Sequence, residues 1–432
     1  MKRSNEIVIG VVGLWHLGSV VSSSWSSKGI KTIGYDQESI LVDNIQKCKP
    51  PVYEPGLIEL IKKGKKNNLL EFTKEIKDLK DCNFIFLTYD TPVDNNDKSN
   101  TKILFNSVKN LLKVMRRDFI LIISSQTPIG TCKKIRDIIK AQKKKSDVSY
   151  VPENLRLGDA INCYLHPDRN IIGVSSDLTK RKVLSLFTKL TKDNYIMSLE
   201  SAELVKHGIN SFLGLSVVFS NILSNISEET KANIIDVVKG IQSDERIGKN
   251  SYLNPGIGFS GGTLGRDFKN LEYIEKVMKL YNHNFFKLIY EQNLKRKNEI
   301  IKKIKKLIRD NKINKLSFFG ITYKKNTSTL RRSVPLEIVE HFSKNYLVKI
   351  HDPQADWKSV KIGKSITICP NIKEACKSAE MIIVLTGWDQ YKKFDWKTVK
   401  RQINNNIFFD VQNSIDENKI IKKGFRYYGI GK

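Results

Sequence analysis

Short apolar runs alternate with amphipathic stretches through the first part of the chain. The runs are rich in valine, isoleucine and phenylalanine, and they have the length of buried strands rather than of helices. They are Ile7–Val12, Lys31–Tyr35, Asn83–Thr88, Phe119–Ser124 and Val148–Val151. Because helical stretches separate most of these runs, the pattern predicts a parallel, doubly wound sheet that extends to about Ser198.

The pattern changes after this point and later returns. From Glu200 to about Lys239 the apolar positions recur at helical spacing, and a second helical stretch runs from Lys269 to Arg309 with an interruption near Asn282. Further strands are predicted at Leu316–Phe319, Leu347–His351, Met381–Leu385 and Ile407–Phe409. This order predicts an α/β fold of two Rossmann-like parallel-sheet domains joined by a central all-helical region. The predicted domains are residues 1–198, 199–312 and 313–432.

Composition limits the range of partners. The chain has 432 residues, of which 40% are hydrophobic, and a formal net charge of +29. Such a charge favours anionic ligands and raises the question of a nucleic-acid or membrane-surface partner. The lysines, however, are spread along the whole chain, without the aromatic and basic interleaving of an RNA-binding sheet. Continuous apolar runs such as Phe119–Ile123 are far shorter than a membrane span, so we predict no nucleic-acid partner and no membrane association.

Cysteine usage indicates a reducing compartment and gives no sign of a metal site. The six cysteines are Cys48, Cys82, Cys132, Cys163, Cys369 and Cys376. No two of them have the spacing of metal ligands, and a chain of this length is not a small disulfide-stabilised domain. We expect free thiols, a cytoplasmic protein and no bound metal.

A glycine-containing turn follows the first predicted strand and opens a helix. Gly13 and Gly18 stand where a dinucleotide-binding turn has its first and third glycines, and Asp36 ends the next strand. In such a fold the pyrophosphate lies at the helix N-terminus and the acidic residue binds the ribose hydroxyls. Trp15 occupies the position of the second glycine, so a strand–helix turn without a ligand is the alternative. Asp36 would repel a 2′-phosphate, which favours NAD over NADP.

Motifs along nearly the whole chain share their order and spacing with one enzyme family. They are Pro51–Leu57, Thr91-Pro92, Ser125–Thr131, Pro152–Gly158, Glu203–Lys206 with Asn210, Asp244–Gly248, Pro255–Phe259, Gly320–Lys324, Arg331, His351–Pro353 and Gly387–Asp389. In these motifs the chain resembles the UDP-glucose/GDP-mannose dehydrogenase family. Any one of them can arise by chance, but the ordered set is specific.

The resemblance implies NAD on the first domain, a nucleotide sugar on the third, and a homodimer contact on the central helix. The family reaction oxidises the sugar C6 alcohol to a carboxylate with two NAD. The implied cofactor residues are Gly13, Trp15, Leu17, Gly18, Asp36, Thr91, Pro92, Ser125, Gln126 and Arg331. The implied substrate residues are Glu153, Asn154, Leu155, Lys206, Asn210, Arg246, Tyr252, Gly258 and Lys324.

Four residues are candidates for the first oxidation. Lys206 and Asn210 are four positions apart on one predicted helix, so they share a face, and an ammonium and an amide can stabilise an oxyanion. Glu153 follows a strand and can act as a base directly or through water. Asp267 can pair with Lys206. The alternatives are a solvated helix face for Lys206 and Asn210, a helix N-cap or a surface turn for Glu153, and a helix cap for Asp267.

The family pattern breaks at the catalytic cysteine. In the family a thiolate holds the aldehyde for the second oxidation, whereas residues 260–267 contain no cysteine here. Counting back from Asp267 puts Thr263 at the cysteine position, and aligning the glycine pair puts Leu264 there. A threonine hydroxyl is a far weaker nucleophile unless a base activates it. The second oxidation must therefore use a hydrated aldehyde, use an activated Thr263, or not occur.

Three hypotheses follow. The first is an NAD-dependent nucleotide-sugar dehydrogenase of glycan precursor synthesis. The second, motivated by Trp15 and Thr263, is an enzyme limited to a two-electron oxidation or a sugar-nucleotide binder without turnover. The third, a nucleic-acid binder, rests on charge alone. Leu157 and Gln412 also depart from the family pattern and leave the exact sugar nucleotide open.

Overall fold

The computed structural model describes residues 7–432 except 93, 95–98, 117, 143–144, 154 and 280–283. The chain forms two units that adjoin in sequence at Gly208 and Ile209. Each unit contains one sheet, and each is described by itself.

The first unit is built on an eight-stranded sheet with the order β3-β2-β1-β4-β5-β6-β7-β8. Its strands are β1 (Val8–Val12), β2 (Lys31–Tyr35), β3 (Leu70–Thr73), β4 (Phe84–Leu87), β5 (Ile120–Ile123), β6 (Asp147–Tyr150), β7 (Asn170–Gly173) and β8 (Asn194–Met197). Neighbouring strands are parallel except β6 and β7, which are antiparallel where Tyr150 faces Gly173. The predicted parallel, doubly wound sheet is present, and the sequence did not reveal this one antiparallel junction.

Helices cover both faces of this sheet. They are α1 (His16–Ser27), α2 (Ser39–Gln46), α3 (Leu57–Lys66), α4 (Lys102–Val114), α5 (Thr131–Ala141), α6 (Ala160–Leu165) and α7 (Asp177–Phe187). Alternate residues of a strand point to opposite faces. Ile85 and Leu121 accordingly belong to one core cluster, and Phe86 and Ile122 belong to the other. The central strands are continuous apolar runs because both of their faces are buried.

The second unit contains a six-stranded parallel sheet with the order β11-β10-β9-β12-β13-β14. Its strands are β9 (Lys315–Phe319), β10 (Leu347–His351), β11 (Ile366–Ile368), β12 (Met381–Val384), β13 (Ile407–Asp410) and β14 (Arg426–Gly429). Helices α8 (Leu199–Thr230), α9 (Ile234–Gln242), α10 (Leu264–Val277) and α11 (Phe285–Asn311) precede this sheet in the chain. The helices associated with the sheet are α12 (Val334–Phe342), α13 (Ile372–Cys376), α14 (Asp389–Lys393) and α15 (Glu417–Lys422).

The first six strands of each sheet have the same order. Counted within its own unit, each sheet places its third, second, first, fourth, fifth and sixth strands side by side. In such sheets a ligand crevice forms beyond the carboxyl ends of the first and fourth strands. Between β8 and β9 the described residues form helices α8–α11 and no strand. The predicted fold class is confirmed, while the three-domain boundaries stay a prediction.

Every strand predicted from the sequence is present, with ends displaced by at most about one residue. The strands that the sequence did not reveal are β3, β7, β8, β11 and β14. All of them except β7 lie at the edge of a sheet, where one side lacks a neighbour. Their half-exposed sequences, such as Arg426–Gly429, lack a continuous apolar run.

The predicted helical stretch from Glu200 to about Lys239 forms two helices. Lys231 adopts a φ of 60°, which ends α8, and the Asn233 side chain then caps α9 by accepting a hydrogen bond from the Ile235 amide. The predicted interruption near Asn282 falls between α10 and α11, but Asn282 itself lies outside the described residues.

The length of helix α8 bears on the expectation that no segment of the chain is long and apolar enough to span a membrane. It has 32 residues and is apolar enough to cross a membrane by length and composition, although continuous apolar runs in the sequence are short. Half of its most apolar window is buried inside the protein. A core helix passes the same test, so one such helix is weak support for a membrane span.

Candidate functional site

The turn between β1 and α1 requires both of its glycines. Gly13 has a φ of 97°, and its amide donates to the Tyr35 carbonyl at 2.9 Å. A Cβ atom at Gly13 would lie 2.8 Å from the Tyr89 ring, and one at Gly18 would lie 1.7 Å from the Gly13 carbonyl oxygen. Without these side chains α1 packs directly against the strand end, as in dinucleotide-binding folds.

Asp36 and Trp15 lie beside this turn. The Asp36 carboxylate is buried and accepts hydrogen bonds from the amides of Leu14 at 2.7 Å and Glu38 at 3.0 Å. Trp15 is the N-cap of α1, and 53% of its surface is exposed. The first turn of α1 carries no acidic side chain, so its positive end is available to an anionic group.

The other predicted cofactor residues of the first unit follow β4 and β5. The Thr91 hydroxyl donates to the Gln126 carbonyl at 2.7 Å, and the Ser125 hydroxyl donates to the Leu87 carbonyl at 3.1 Å. Because β2, β1, β4 and β5 are parallel neighbours, the segments after them meet at one edge of the sheet. Pro92 is exposed beside Thr91.

Two further predicted cofactor residues, Leu17 and Arg331, lie in different units. Leu17 lies in the first turn of α1 and is half-buried. Arg331 is an exposed residue of the second unit. Its predicted cofactor contact stays a prediction.

The second unit repeats the turn but differs at the aspartate. Gly320 follows β9 with a φ of 77°, and Asp352 follows β10, as Gly13 and Asp36 follow β1 and β2.

The two aspartates differ in the number of donors that reach them. Among the described residues, two amides donate to Asp36. Six donors reach Asp352, namely the amides of Ile321, Thr322, Gln354 and Ala355, the Thr322 hydroxyl and the Trp388 indole. A carboxylate has about four lone-pair sites, so only Asp36 retains capacity for ribose hydroxyls.

Glu153 and Lys206 are brought together in the first unit. The Lys206 side chain is buried, and its ammonium donates to the Glu153 carbonyl at 2.5 Å and lies 3.7 Å from the Glu153 carboxylate. The other carboxylate oxygen accepts from the Leu155 amide at 2.7 Å. Asn154, predicted to bind substrate, lies outside the described residues. The arrangement places an ammonium and a carboxylate next to each other, as proton removal and oxyanion stabilisation require.

Two buried side chains that sequence reasoning gave no role fix the start of α8. The Glu203 carboxylate accepts from the amides of Gly130 at 2.6 Å and Cys132 at 2.9 Å, and thereby caps α5. Burial raises the pKa of the Glu203 carboxyl, although these amide hydrogen bonds oppose the shift. The His207 ring lies 2.8 Å from the Thr127 carbonyl oxygen. These contacts hold in place the helix turn that carries the predicted catalytic lysine.

Asn210 and Asp267 are paired in the second unit. The Asn210 amide donates to the Asp267 carboxylate at 2.5 Å, and Asp267 is fully buried in the first turn of α10. The pairing of Asp267 with Lys206 stays a prediction. Thr263 is the exposed N-cap of α10, and its side chain makes no capping hydrogen bond.

A side chain from α11 shapes the loop before Thr263. Gly258 has a φ of 91°, and a Cβ atom there would lie 2.7 Å from the Asn293 side-chain oxygen. The Asn293 amide accepts from the Phe259 amide and donates to the Phe259 carbonyl, both at 2.8 Å. No motif in the sequence marks Asn293, because a lone asparagine in a charged helix resembles a solvated residue.

The remaining substrate candidates of the second unit differ in their surroundings. The exposed Arg246 guanidinium forms two hydrogen bonds with Asp244, at 3.0 and 2.7 Å, so a substrate contact requires an exchange of partner. Tyr252 is exposed. The Lys324 ammonium lies 5.7 Å from the centroid of the Tyr323 ring. Burial raises the pKa of the Tyr323 hydroxyl to about 12, with a smaller contribution from Tyr252.

Three consecutive parts of the chain match the three domains of one known family. Residues 7–191 match the NAD binding domain, residues 200–295 the central domain, and residues 317–417 the UDP binding domain of UDP-glucose/GDP-mannose dehydrogenases. The chain belongs to the UDP-glucose/GDP-mannose dehydrogenase family. The predicted family and the predicted NAD cofactor are thereby confirmed.

Individual relatives match nearly the full length of the chain. The UDP-glucose 6-dehydrogenase of Rickettsia typhi is 28% identical over 98% of this chain and 99% of its own length. The UDP-glucose 6-dehydrogenase YwqF of Bacillus subtilis is 27% identical over 98% and 97%. A UDP-glucose dehydrogenase structure from Pyrobaculum islandicum has a TM-score of 0.86, with 22% identity over 100% of this chain and 99% of that one. At this identity the structural match supports the fold alone.

Proposed function

We propose that the chain is a UDP-sugar dehydrogenase that transfers a hydride from the C6 alcohol of its substrate to NAD in glycan precursor synthesis. The observation that carries the proposal is the buried Lys206 ammonium, held by the Glu153 carbonyl and adjacent to the Glu153 carboxylate. A match to an NAD binding domain and a match to a UDP binding domain indicate which two ligands the chain binds. The names of the relatives favour UDP-glucose as the first substrate to test.

In the first oxidation, hydride leaves C6 as the hydroxyl proton is removed. The Glu153 carboxylate is the base, directly or through water, and the Lys206 ammonium stabilises the developing alkoxide. Asn210 follows Lys206 by four residues on α8, so its amide is the predicted second donor. Its hydrogen bond to Asp267 fixes the orientation of this amide. The products of this step are an aldehyde, NADH and a proton.

The second oxidation lacks a thiol. Cys132 and the five other cysteines lie outside residues 260–267. Thr263 is exposed at the start of α10, and a threonine hydroxyl is a poor nucleophile unless a base activates it. A carboxylate can still form if water adds to the aldehyde and the hydrate transfers a second hydride to a second NAD. We propose that the product is the aldehyde or its hydrate, or a carboxylate formed in a slow second step.

The test is NAD reduction against a panel of UDP-sugars and GDP-sugars, with each product identified by mass spectrometry. We expect NADH formation with a UDP-sugar and a product two hydrogens lighter than the substrate. Binding of the nucleotide sugar without NADH formation would instead establish a sugar-nucleotide binder without turnover. Trp15 at the second glycine position and Thr263 are the observations that favour this second candidate.

We also propose a homodimer whose contact lies on α8 and a cytoplasmic location. In the second unit this helix exposes an apolar stripe at helical spacing, formed by Phe212, Phe219, Ile222 and Ile226. Contiguous exposed apolar surface of this kind marks interaction sites. The free cysteine thiols are those of a reducing compartment. Light scattering of the wild type and of Phe219→Asp tests the dimer, since a charge in the stripe should give monomers.

A further inference from the structure

The Glu54 carboxylate joins two segments of the first unit that are distant in sequence. Glu54 lies between α2 and α3, and its side chain is completely buried. One oxygen lies 2.9 Å from the His16 ring nitrogen in the first turn of α1 and also accepts from the Gly158 amide at 3.1 Å. The other accepts from the Ala160 amide at 2.8 Å. Glu54 thus contacts both the helix that opens at the cofactor turn and the segment that follows Glu153.

A second contact fixes α6 to the same helix. The Trp25 indole donates to the Tyr164 hydroxyl at 2.9 Å, and the two rings meet edge to face with their centroids 6.2 Å apart. Helix α6 is therefore attached to α1 near each of its ends, by Glu54 at Ala160 and by Trp25 at Tyr164. These two contacts provide a path by which a displacement of α1 at the cofactor turn can reach α6.

The segment before α6 borders a pocket at the surface of the first unit. A cavity of about 260 Å³ borders it and is lined by Glu54, Pro55, Asp159, Ile161 and Leu165 among others. Gly158 adopts a φ of 88°, which marks a sharp change of chain direction. Because Gly158 and Asp159 are exposed, the Glu54 hydrogen bonds to the Gly158 and Ala160 amides are among the contacts that position this backbone.

We propose that Glu54 is a positioning residue that couples cofactor binding at the β1–α1 turn to the position of residues 155–160. The coupling runs from the His16 ring through the Glu54 carboxylate to the amides of Gly158 and Ala160. From there it reaches Leu155, whose amide binds the Glu153 carboxylate. This inference rests on the proposed function only in that NAD binds at the β1–α1 turn and Glu153 takes part in the reaction.

Hydrogen–deuterium exchange of the full chain, with and without NADH, tests the coupling without any knowledge of the sugar. In the wild type we expect NADH to slow amide exchange in residues 8–18 and, about threefold or more, in residues 155–165. His16→Phe keeps a ring but removes the nitrogen that contacts Glu54, and Glu54→Gln keeps the side-chain shape. In both variants NADH should still protect residues 8–18, while its effect on residues 155–165 should disappear.

Asp147→Asn is the matched control. Asp147 is another carboxylate that joins distant segments of the first unit, since it contacts Arg136, Ser175 and Thr179. It opens β6 at the end opposite to Glu153. In this variant, protection by NADH should reach residues 155–165 as in the wild type.

The outcomes separate the inference from the proposed function. Unchanged protection of residues 155–165 by NADH in both His16→Phe and Glu54→Gln would overturn the coupling alone. No protection by NADH anywhere in the wild type would overturn the proposed function and the coupling with it. As a second measurement, Glu54→Gln should lower kcat with UDP-glucose about tenfold and change KM for NAD less than threefold. A change in KM alone would contradict a positioning role.

Discussion

Replacing Lys206 by methionine removes the ammonium while the apolar stem of the side chain is largely preserved. The ammonium contacts the Glu153 carbonyl at 2.5 Å and lies 3.7 Å from the carboxylate. Loss of the charged hydrogen bond should reduce the free energy of unfolding by about 2 kcal/mol. The Glu153 side chain is 25% exposed, so loss of the longer ion pair adds less than about 1 kcal/mol.

This destabilisation is too small to abolish the fold. Domains of this kind are stable by about 5–15 kcal/mol, so the variant remains folded. The effect on catalysis should be larger, because an oxyanion donor acts mainly in the transition state. Removal of one such donor lowers kcat by about 10²–10³. We therefore expect Lys206→Met to reduce kcat by about this factor, with KM changed less than about threefold.

Steady-state kinetics of NADH formation, together with denaturant unfolding of the same samples, measure both quantities. Lys269→Met is the matched control, because Lys269 is half-buried and, like Lys206, lies near a carboxylate, that of Glu272 at 2.7 Å. Its kcat should equal that of the wild type. A rise in KM at unchanged kcat in Lys206→Met would show that Lys206 binds the substrate and does not stabilise the transition state.

Three further predictions concern the cofactor, the product and the pH dependence of stability. Asp36→Ala should weaken NAD binding about 10–100-fold by calorimetry, since it loses charged hydrogen bonds to the ribose; undiminished affinity would remove this assignment. Thr263→Cys should accelerate carboxylate formation, and alkylating reagents should inhibit this variant but barely the wild type; rapid carboxylate formation by the wild type, lost in Thr263→Ala, would contradict this. Burial raises the pKa of the Asp410 carboxyl in the folded protein from 3.8 to about 6. Relative to the ionised carboxylate, the protonated carboxyl therefore stabilises the fold at pH values below 3.8, and this stabilisation is lost as the pH rises through 6. The unfolding free energy of the wild type relative to Asp410→Asn should fall by roughly 2.5 kcal/mol between pH 4 and 7, and a flat difference would refute the shift.

The sequence by itself determined those elements whose local pattern of apolar residues already reflects how they are buried. All residues of β4 and β5 are buried, and both read as continuous apolar runs. The turn from β1 to α1 was predictable for a similar reason, because Gly13 and Gly18 meet steric demands within a few residues of chain. Edge strands such as β14 were not predictable, since pairing on one side only leaves their sequence mixed.

In the candidate site, sequence motifs indicated the residues, but only the tertiary structure decided what many of them contact. Glu54 and the Gly158 amide are 104 positions apart, and Glu203 and the Cys132 amide are 71 apart. The difference between Asp36 and Asp352 is also invisible in the sequence, because both simply follow a second strand. The role of a buried carboxylate depends on how many distant donors the fold directs at it. No local pattern encodes that number, because the donors are mostly backbone amides that every residue type except proline provides.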